Sequence, residues 1–127
     1  MTVVVLKTGK KWSASTMGIV CGLVFGIVVP APAPYLLAST IASGVVYDFA
    51  LLGGNYLNAI RSFSRIVVGA GVSGVAESLV ALAILTLVGF FGKSLEAITS
   101  AWSIDIVLNI VLSSLGAAIA FRYFGRK

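Results

Sequence analysis

One acidic residue, Glu77, lies in the middle of a long apolar stretch of the sequence that begins at Ile66. In an α-helix with a rise of about 1.5 Å per residue, Glu77 is about 16 Å from that beginning. If the stretch crosses a membrane, the carboxylate costs about 2.5–3.5 kcal/mol there, and such residues usually bind a substrate, a proton or an ion. Two interpretations stay open: a functional acid, or a protonated Glu77 bonded to a serine or a backbone carbonyl.

A second polar pattern runs through the last apolar stretch. Asp105, Asn109 and Ser113 recur at every fourth position, which places them on one face of a helix. Such a line of polar groups either borders a ligand cavity inside a bundle or joins two helices by hydrogen bonds. Together with Glu77, these three residues are the predicted ligand-binding candidates.

The composition argues against several kinds of chemistry. The chain has no His and one Cys, so the commonest general base and the commonest zinc ligands are missing. Cys21 has apolar neighbours and fits a small core residue, and no two side chains have the spacing of a nucleophile and its base. The sequence therefore predicts no enzyme, no catalytic or metal site, and no cofactor.

Three glycines, Gly69, Gly71 and Gly74, match the G-x-G-x-x-G pattern of dinucleotide-binding loops. That loop needs a strand before it, a turn into a second strand after its helix, and an acidic residue about 20 positions further on. Here the chain stays apolar to Phe91 without such a turn. We therefore interpret the glycines as contact points between packed membrane helices.

The overall composition suits lipid rather than water as the solvent. Of 127 residues, 59% are hydrophobic and 10% are charged, whereas soluble domains carry about 25% charged residues. Four apolar stretches are each close to the ~20 residues that cross a hydrocarbon core. We predict an all-α integral membrane protein, one membrane domain over residues 1–127, built as a four-transmembrane-helix bundle with spans at about 13–29, 35–52, 66–91 and 103–121.

The basic residues predict the orientation of these spans. Four spans leave Lys93 on one side of the membrane and put the other eight basic residues on the opposite side. Those eight are Lys7, Lys10, Lys11, Arg61, Arg65, Arg122, Arg126 and Lys127. By the positive-inside rule, both termini of this multi-pass protein of the cell membrane lie in the cytoplasm.

The loop between spans 2 and 3 has a pattern of its own. From Tyr56 to Arg65, apolar residues share one helical face and basic or amide residues the other, which predicts a short amphipathic helix on the inner surface. This helix either lies on the membrane or docks a partner. Asp48, near the inner end of span 2, is on the same side as Arg61 and Arg65, and we predict an ion pair between them.

Small residues recur at every fourth position of span 1, at Ala14, Gly18, Gly22 and Gly26. Such a groove lets another helix approach closely, so that van der Waals contact replaces the missing hydrophobic driving force. The groove serves either packing inside the bundle or docking of another subunit. Both uses stay open.

Residues 10–92 resemble the substrate-binding S components of energy-coupling factor (ECF-type) transporters. The resemblance lies in the run Lys10-Lys11-Trp12-Ser13-Ala14-Ser15-Thr16-Met17-Gly18, in Gly22, in the prolines at 30, 32 and 34, and in the run Ala42-Ser43-Gly44-Val45-Val46-Tyr47-Asp48. It implies a small helical membrane protein that binds a vitamin or its precursor and docks on a coupling subunit driven by cytoplasmic ATPases. The groove of span 1 would be the docking surface. Because that family has six spans, the resemblance implies a shortened form, with the run Thr2–Leu6 as the remnant of an earlier helix.

The expected function is therefore binding of a small molecule for uptake. Two alternatives fit the same sequence: a non-catalytic structural subunit of a larger membrane or envelope assembly, and a small proton or ion carrier that uses Glu77. The expected partners are the lipid bilayer, other membrane subunits of the same or a different chain, and a small-molecule substrate. The sequence has no interleaved basic and aromatic patch, so we expect no nucleic acid.

Overall fold

The structure, a computed structural model, describes residues 1–28, 33–53, 55–90, 92 and 94–125. Its helices are α1 (Thr2–Thr8), α2 (Ser13–Val28), α3 (Ala33–Leu52), α4 (Tyr56–Arg61), α5 (Phe63–Leu87) and α6 (Leu95–Phe124). The described ranges contain no strand. The prolines at 30 and 32, together with Lys93, Arg126 and Lys127, lie outside the described residues.

Three helices are long and apolar enough to cross a membrane, namely α5, α6 and the part of α3 from Tyr35 to Leu52. α2 is apolar as well, but its 16 residues make it shorter than these three. The predicted all-helical architecture is confirmed, and three of its helices have the length and hydropathy of a membrane span.

Three helix boundaries at and around α5 differ from the predicted ones. The amphipathic helix ends at Arg61 instead of continuing to Arg65, because Ser62 has an extended backbone (φ −93°, ψ 115°) that separates α4 from α5. α5 therefore begins at Phe63 rather than at Ile66. It ends at Leu87, since Gly89 adopts a φ of +77°, outside the range of a right-handed helix.

The last helix begins at Leu95, well before the predicted start at Ser103. The hydroxyl of Ser94 accepts a hydrogen bond from the Ala97 N–H at 3.4 Å, and this residue type is a favoured N-cap. The hydroxyls of Thr99, Ser100 and Ser103 all donate to carbonyls of the preceding turn. The cap at Ser94 thus marks the start of the helix, and the hydroxyls of its first turns are satisfied by its own backbone.

The long helices pack side by side in the order α2, α3, α5, α6. The short α1 contacts both α2 and α6 and so joins the two ends of this row. Val5 of α1 is fully buried, and the Lys7 ammonium lies 5.1 Å from the centroid of the Phe124 ring. The run Thr2–Leu6 is therefore part of a helix with its own packing partners.

The small-residue groove of α2 is filled by α3. A Cβ added at Gly18 would lie 2.5 Å from the Thr40 carbonyl oxygen, and one at Gly22 would lie 2.6 Å from the Thr40 hydroxyl oxygen. Ala14 is fully buried, whereas Gly26, at the far end, is half-buried. Approach this close leaves Ala14, Gly18 and Gly22 no free face for another subunit, which corrects the docking role that the resemblance implies for them.

Candidate functional site: a polar cavity around Glu77

Four helices border a cavity of about 340 Å³ that contains Glu77. We call it the Glu77 cavity. Its lining residues are Met1, which precedes α1, Thr2 and Val3 of α1, Ser43 and Tyr47 of α3, Ala70, Ser73 and Glu77 of α5, and Leu112, Ser113, Gly116, Ala117 and Ala120 of α6. Sites for small molecules span about 300–1,000 Å³ and combine an apolar lining with a few polar groups. The Glu77 cavity fits the lower end of that range.

Glu77 lies near the centre of α5 and is half-buried. Ser43, on α3, lines the same cavity, and its hydroxyl lies 3.9 Å from the Met1 sulfur. A carboxyl group has room for about four hydrogen bonds, so Glu77 has capacity for a molecule in the cavity. Glu77 thus has a serine neighbour, as expected if its role is structural, and a cavity beside it, as expected if it binds a substrate, a proton or an ion.

The glycines of the G-x-G-x-x-G pattern position the walls of this cavity. They lie inside the continuous helix α5, not in a loop after a strand. A Cβ at Gly74 would lie 2.8 Å from the Asn109 carbonyl oxygen, and one at Gly71 would lie 3.0 Å from the Ser114 hydroxyl oxygen, both on α6. Gly69 instead faces the Tyr47 ring of α3. These glycines therefore bring α5 close to both neighbouring helices.

The predicted stripe on α6 divides between two roles. Ser113 lines the Glu77 cavity, while Asp105 and Asn109 are not among its lining residues. The Asn109 side-chain amide donates to the Ser78 hydroxyl at 2.8 Å and to the Asp105 carboxylate at 3.2 Å. Because Ser78 is buried on α5, this network joins α5 to α6. The structure brings Glu77 and Ser113 together, gives Asn109 the interhelical hydrogen bond to Ser78, and makes Asp105 a partner of Asn109 within α6.

Sequence reasoning missed Ser43, Tyr47 and Ser73 as residues of the site. Tyr47 is 1% exposed, and its hydroxyl lies 3.1 Å from the Thr2 hydroxyl of α1. A signal was present: Ser43 and Tyr47 are four residues apart, as are Ser73 and Glu77, and this spacing puts each pair on one helical face. The residues of α1 had no such signal, because a seven-residue helix is too short to show a helical period.

Asp48 has a partner other than the predicted one. It is fully buried, and its carboxylate accepts hydrogen bonds from the Ser15 N–H at 2.7 Å, the Ser15 hydroxyl at 2.6 Å and the Ala14 N–H at 3.4 Å. A negative charge at the first turn of α2 is favourable because that helix end carries a partial positive charge. Arg61 and Arg65 are exposed. The predicted ion pair is therefore corrected: the N-terminus of α2 satisfies Asp48.

Among the described residues, no group of three or more His, Cys, Asp or Glu side chains is placed to hold a metal ion. No family model, no curated protein and no solved structure matches the chain. What the Glu77 cavity can do therefore follows from its own geometry.

Proposed function

We propose that this chain is a multi-pass membrane protein that binds a small polar molecule in the Glu77 cavity, as the substrate-binding component of an uptake system of the S-component type. One observation carries the proposal. The Glu77 carboxyl group and the hydroxyls of Ser43, Ser73 and Ser113 border one cavity inside an otherwise apolar bundle. The hydroxyls of Ser43 and Ser73 donate to the Met1 sulfur and the Ala70 carbonyl, while a carboxyl group accepts several hydrogen bonds. A molecule bound in the cavity can therefore supply further hydrogen bonds to Glu77.

The lining also defines the chemistry of the ligand. Carboxylate and hydroxyl oxygens accept hydrogen bonds, and the hydroxyl of Ser73 already donates to the Ala70 carbonyl at 2.9 Å. The Glu77 carboxylate can only accept hydrogen bonds, so a ligand with an amine, amide or hydroxyl donor fits it best. The volume of about 340 Å³ restricts it to a small molecule, such as a vitamin precursor.

The membrane placement is part of the proposal: α2, α3, α5 and α6 form four spans, with both termini in the cytoplasm. Its support is that the basic segments meet at one end of the molecule. The Tyr56 hydroxyl donates to the Lys10 carbonyl at 2.8 Å, and the Phe63 and Phe121 rings are 5.6 Å apart. These contacts bring together the ends of α1, α4 and α6 and the beginnings of α2 and α5. The surface that they form has an excess of basic residues, as cytoplasmic surfaces of membrane proteins do.

Native mass spectrometry of the gently extracted full chain tests the ligand site. We expect a small-molecule adduct on the wild type and at least a tenfold loss of that adduct in Glu77→Gln. Glu96→Gln is the matched control, because Glu96 is an exposed carboxylate in the first turn of α6, and it should keep the adduct. Absence of any adduct on the wild type, or equal adducts on both variants, would overturn the proposed function.

A second function, transport of protons or cations, is favoured by one observation: Glu77 is the only acidic residue that lines the described cavity. A single carboxyl group that is reached from a cavity can bind and release a proton. Proteoliposomes loaded with a pH-sensitive dye distinguish this function from ligand binding. Proton flux that Glu77→Gln abolishes, without any adduct in the mass spectra, would favour the carrier.

A further inference from the structure

A second cleft, of about 280 Å³, opens between α1 and the beginning of α2, away from the Glu77 cavity. Its lining residues are Val4, Thr8, Lys10, Lys11, Trp12, Ser13, Thr16, Met17 and Val20. The lysines belong to the link between the two helices, and Met17 and Val20 follow one and two turns into α2. The cleft is therefore basic at one end and apolar at the other.

The basic end has no acidic side chain among its lining residues. Lys10 and Lys11 are both exposed. Asp48 is bonded to the first turn of α2, but it is fully buried, and its oxygens accept hydrogen bonds from Ala14 and Ser15. Two lysines with no carboxylate among the described lining residues of the cleft suit an anionic group, and phosphate is one that ammonium groups bind well.

Two of the hydroxyls that line the cleft, those of Thr8 and Thr16, limit which groups can accompany that anion. Thr8 donates to the Val4 carbonyl at 2.8 Å, and Thr16 donates to the Trp12 carbonyl at 2.9 Å. Since each hydroxyl has one proton, both oxygens can only accept from a bound molecule. A headgroup with hydroxyl donors beside its phosphate therefore matches the cleft better than one that ends in a quaternary amine.

Trp12 and the exposed face of α2 place the cleft at a membrane boundary. Trp12 has a φ of +66°, a region that bulky residues rarely adopt, and its ring packs edge-on against Phe49 at 5.5 Å. Tryptophan is enriched where lipid headgroups meet the hydrocarbon. Beyond the cleft, Val24 and Ile27 are exposed on the same helical face as Val20, so the apolar floor continues along α2.

We propose that this cleft binds an anionic phospholipid with a hydroxylated headgroup, of which phosphatidylglycerol is the simplest. Lys10 and Lys11 bind its phosphate, the Thr8 and Thr16 oxygens accept from its headgroup hydroxyls, and one acyl chain lies along Met17, Val20 and Val24. Anionic lipids of the cytoplasmic leaflet attract basic segments beside membrane helices. The proposal rests on the membrane placement given above but not on any ligand of Glu77.

The test compares lipid retention by the full chain in detergent. Phosphatidylglycerol and phosphatidylcholine with identical acyl chains are added in equal amounts, and bound lipid is counted by native mass spectrometry. We expect the wild type to retain at least five times more phosphatidylglycerol, and the double variant Lys10→Gln/Lys11→Gln to lose this preference. Arg61→Gln/Arg65→Gln removes the same charge from exposed positions outside the cleft and should keep the preference.

Each remaining outcome overturns the proposal. Equal retention of both lipids by the wild type would show that the cleft does not select a headgroup. Equal loss in the two double variants would show attraction to the general positive surface only. Soluble glycerol phosphate at the same concentration should leave the melting temperature of the protein unchanged, because it lacks the acyl chain. If it raised the melting temperature as much as the phospholipid does, the cleft would bind a soluble ligand instead. The small-molecule adduct that depends on Glu77 should persist in the double variant Lys10→Gln/Lys11→Gln. The lipid site and the ligand site at Glu77 can therefore be tested separately.

Discussion

At the scale of single residues, two carboxyl groups inside the described structure have opposite surroundings. Asp48 is fully buried and accepts three hydrogen bonds from the first turn of α2. Glu77 is half-buried and lines a cavity. A buried group whose hydrogen bonds are complete has a structural role, whereas one with spare capacity beside a cavity can bind a ligand. The number of partners therefore distinguishes the two acids better than their depth in the bundle.

Replacement of Asp48 tests its structural role. Asp48→Ala leaves the Ala14 and Ser15 N–H groups and the Ser15 hydroxyl without their acceptor, so we expect the free energy of unfolding to fall by about 2–3 kcal/mol. Unfolding in mixed micelles, followed by tryptophan fluorescence, measures this loss. Arg61→Ala and Arg65→Ala should change little. If they destabilise the protein as much as Asp48→Ala does, the predicted ion pair would be right after all.

Tyr56 gives a prediction that depends on pH. Its hydroxyl donates to the Lys10 carbonyl, and burial, with a smaller contribution from the nearby Asp48 charge, raises the pKa of Tyr56. The unfolded-state pKa is about 10. Because the folded-state pKa is the higher one, the stabilisation is complete below about pH 10 and is lost as the pH rises through the folded-state value.

We therefore expect Tyr56→Phe to unfold about 1 kcal/mol more easily than the wild type at neutral pH, with a difference that shrinks under alkaline conditions. Unfolding titrations at several pH values measure both effects. Tyr123→Phe is the control, since the Tyr123 side chain is exposed, and it should show no difference at any pH. A Tyr56→Phe difference that stays constant into the alkaline range would refute this role of the hydroxyl.

At the scale of elements, the contact between α2 and α3 can be tested with two glycines in different surroundings. A Cβ at Gly18 would lie 2.5 Å from a backbone oxygen of α3, while one at Gly116 would meet nothing within 4 Å. We expect Gly18→Ala to cost about 1–3 kcal/mol by overpacking. Gly116→Ala should be neutral or stabilising, since alanine favours helix. Unfolding of the isolated chain measures both, and a harmless Gly18→Ala would mean that α3 does not fill the groove.

The sequence predicts the long helices well and the short ones poorly, for a physical reason. α2, α3, α5 and α6 each follow a long apolar run that only helices can accommodate in lipid. α1 has seven residues, too few to be stable alone, and it depends on tertiary contacts such as the burial of Val5. The beginning of α6 depends on the cap at Ser94, which composition does not show.

The residues of the candidate site likewise differ in how well the sequence predicts them. Glu77 and Ser113 could be predicted because a polar residue within an apolar run can be recognised from the sequence alone. Their neighbours Ser43 and Tyr47 depend on how α3 is rotated against α5, and that rotation follows from close contacts such as Gly69 against the Tyr47 ring. The partner of Asp48 depends likewise on where the first turn of α2 lies.

At the scale of the whole molecule, the described helices expose an apolar exterior. α6 buries few residues within the chain, and large side chains such as Val107, Leu112 and Ile119 are exposed along it. Hydrophobic faces of this extent are unfavourable in water and suit contact with lipid tails. The polar side chains of the Glu77 cavity and of the Asn109 network are instead buried or half-buried between helices, which is the distribution expected of a membrane bundle.

The four-span placement predicts which side of the membrane each connection occupies. Single cysteines at Thr8, Asn58 and Ser100, all exposed positions, are introduced in a Cys21→Ala background and treated in intact cells with a membrane-impermeant maleimide. We expect Ser100→Cys to react in intact cells, and Thr8→Cys and Asn58→Cys to react only after permeabilisation. One span separates Ser100 from Asn58, so these two lie on opposite sides; two spans separate Thr8 from Asn58, so these two lie on the same side. Reaction of all three in detergent is the control for accessibility. If Thr8→Cys and Asn58→Cys react from opposite sides, α2 does not cross the membrane, and both the cytoplasmic N-terminus and the inner-leaflet lipid site would have to be abandoned.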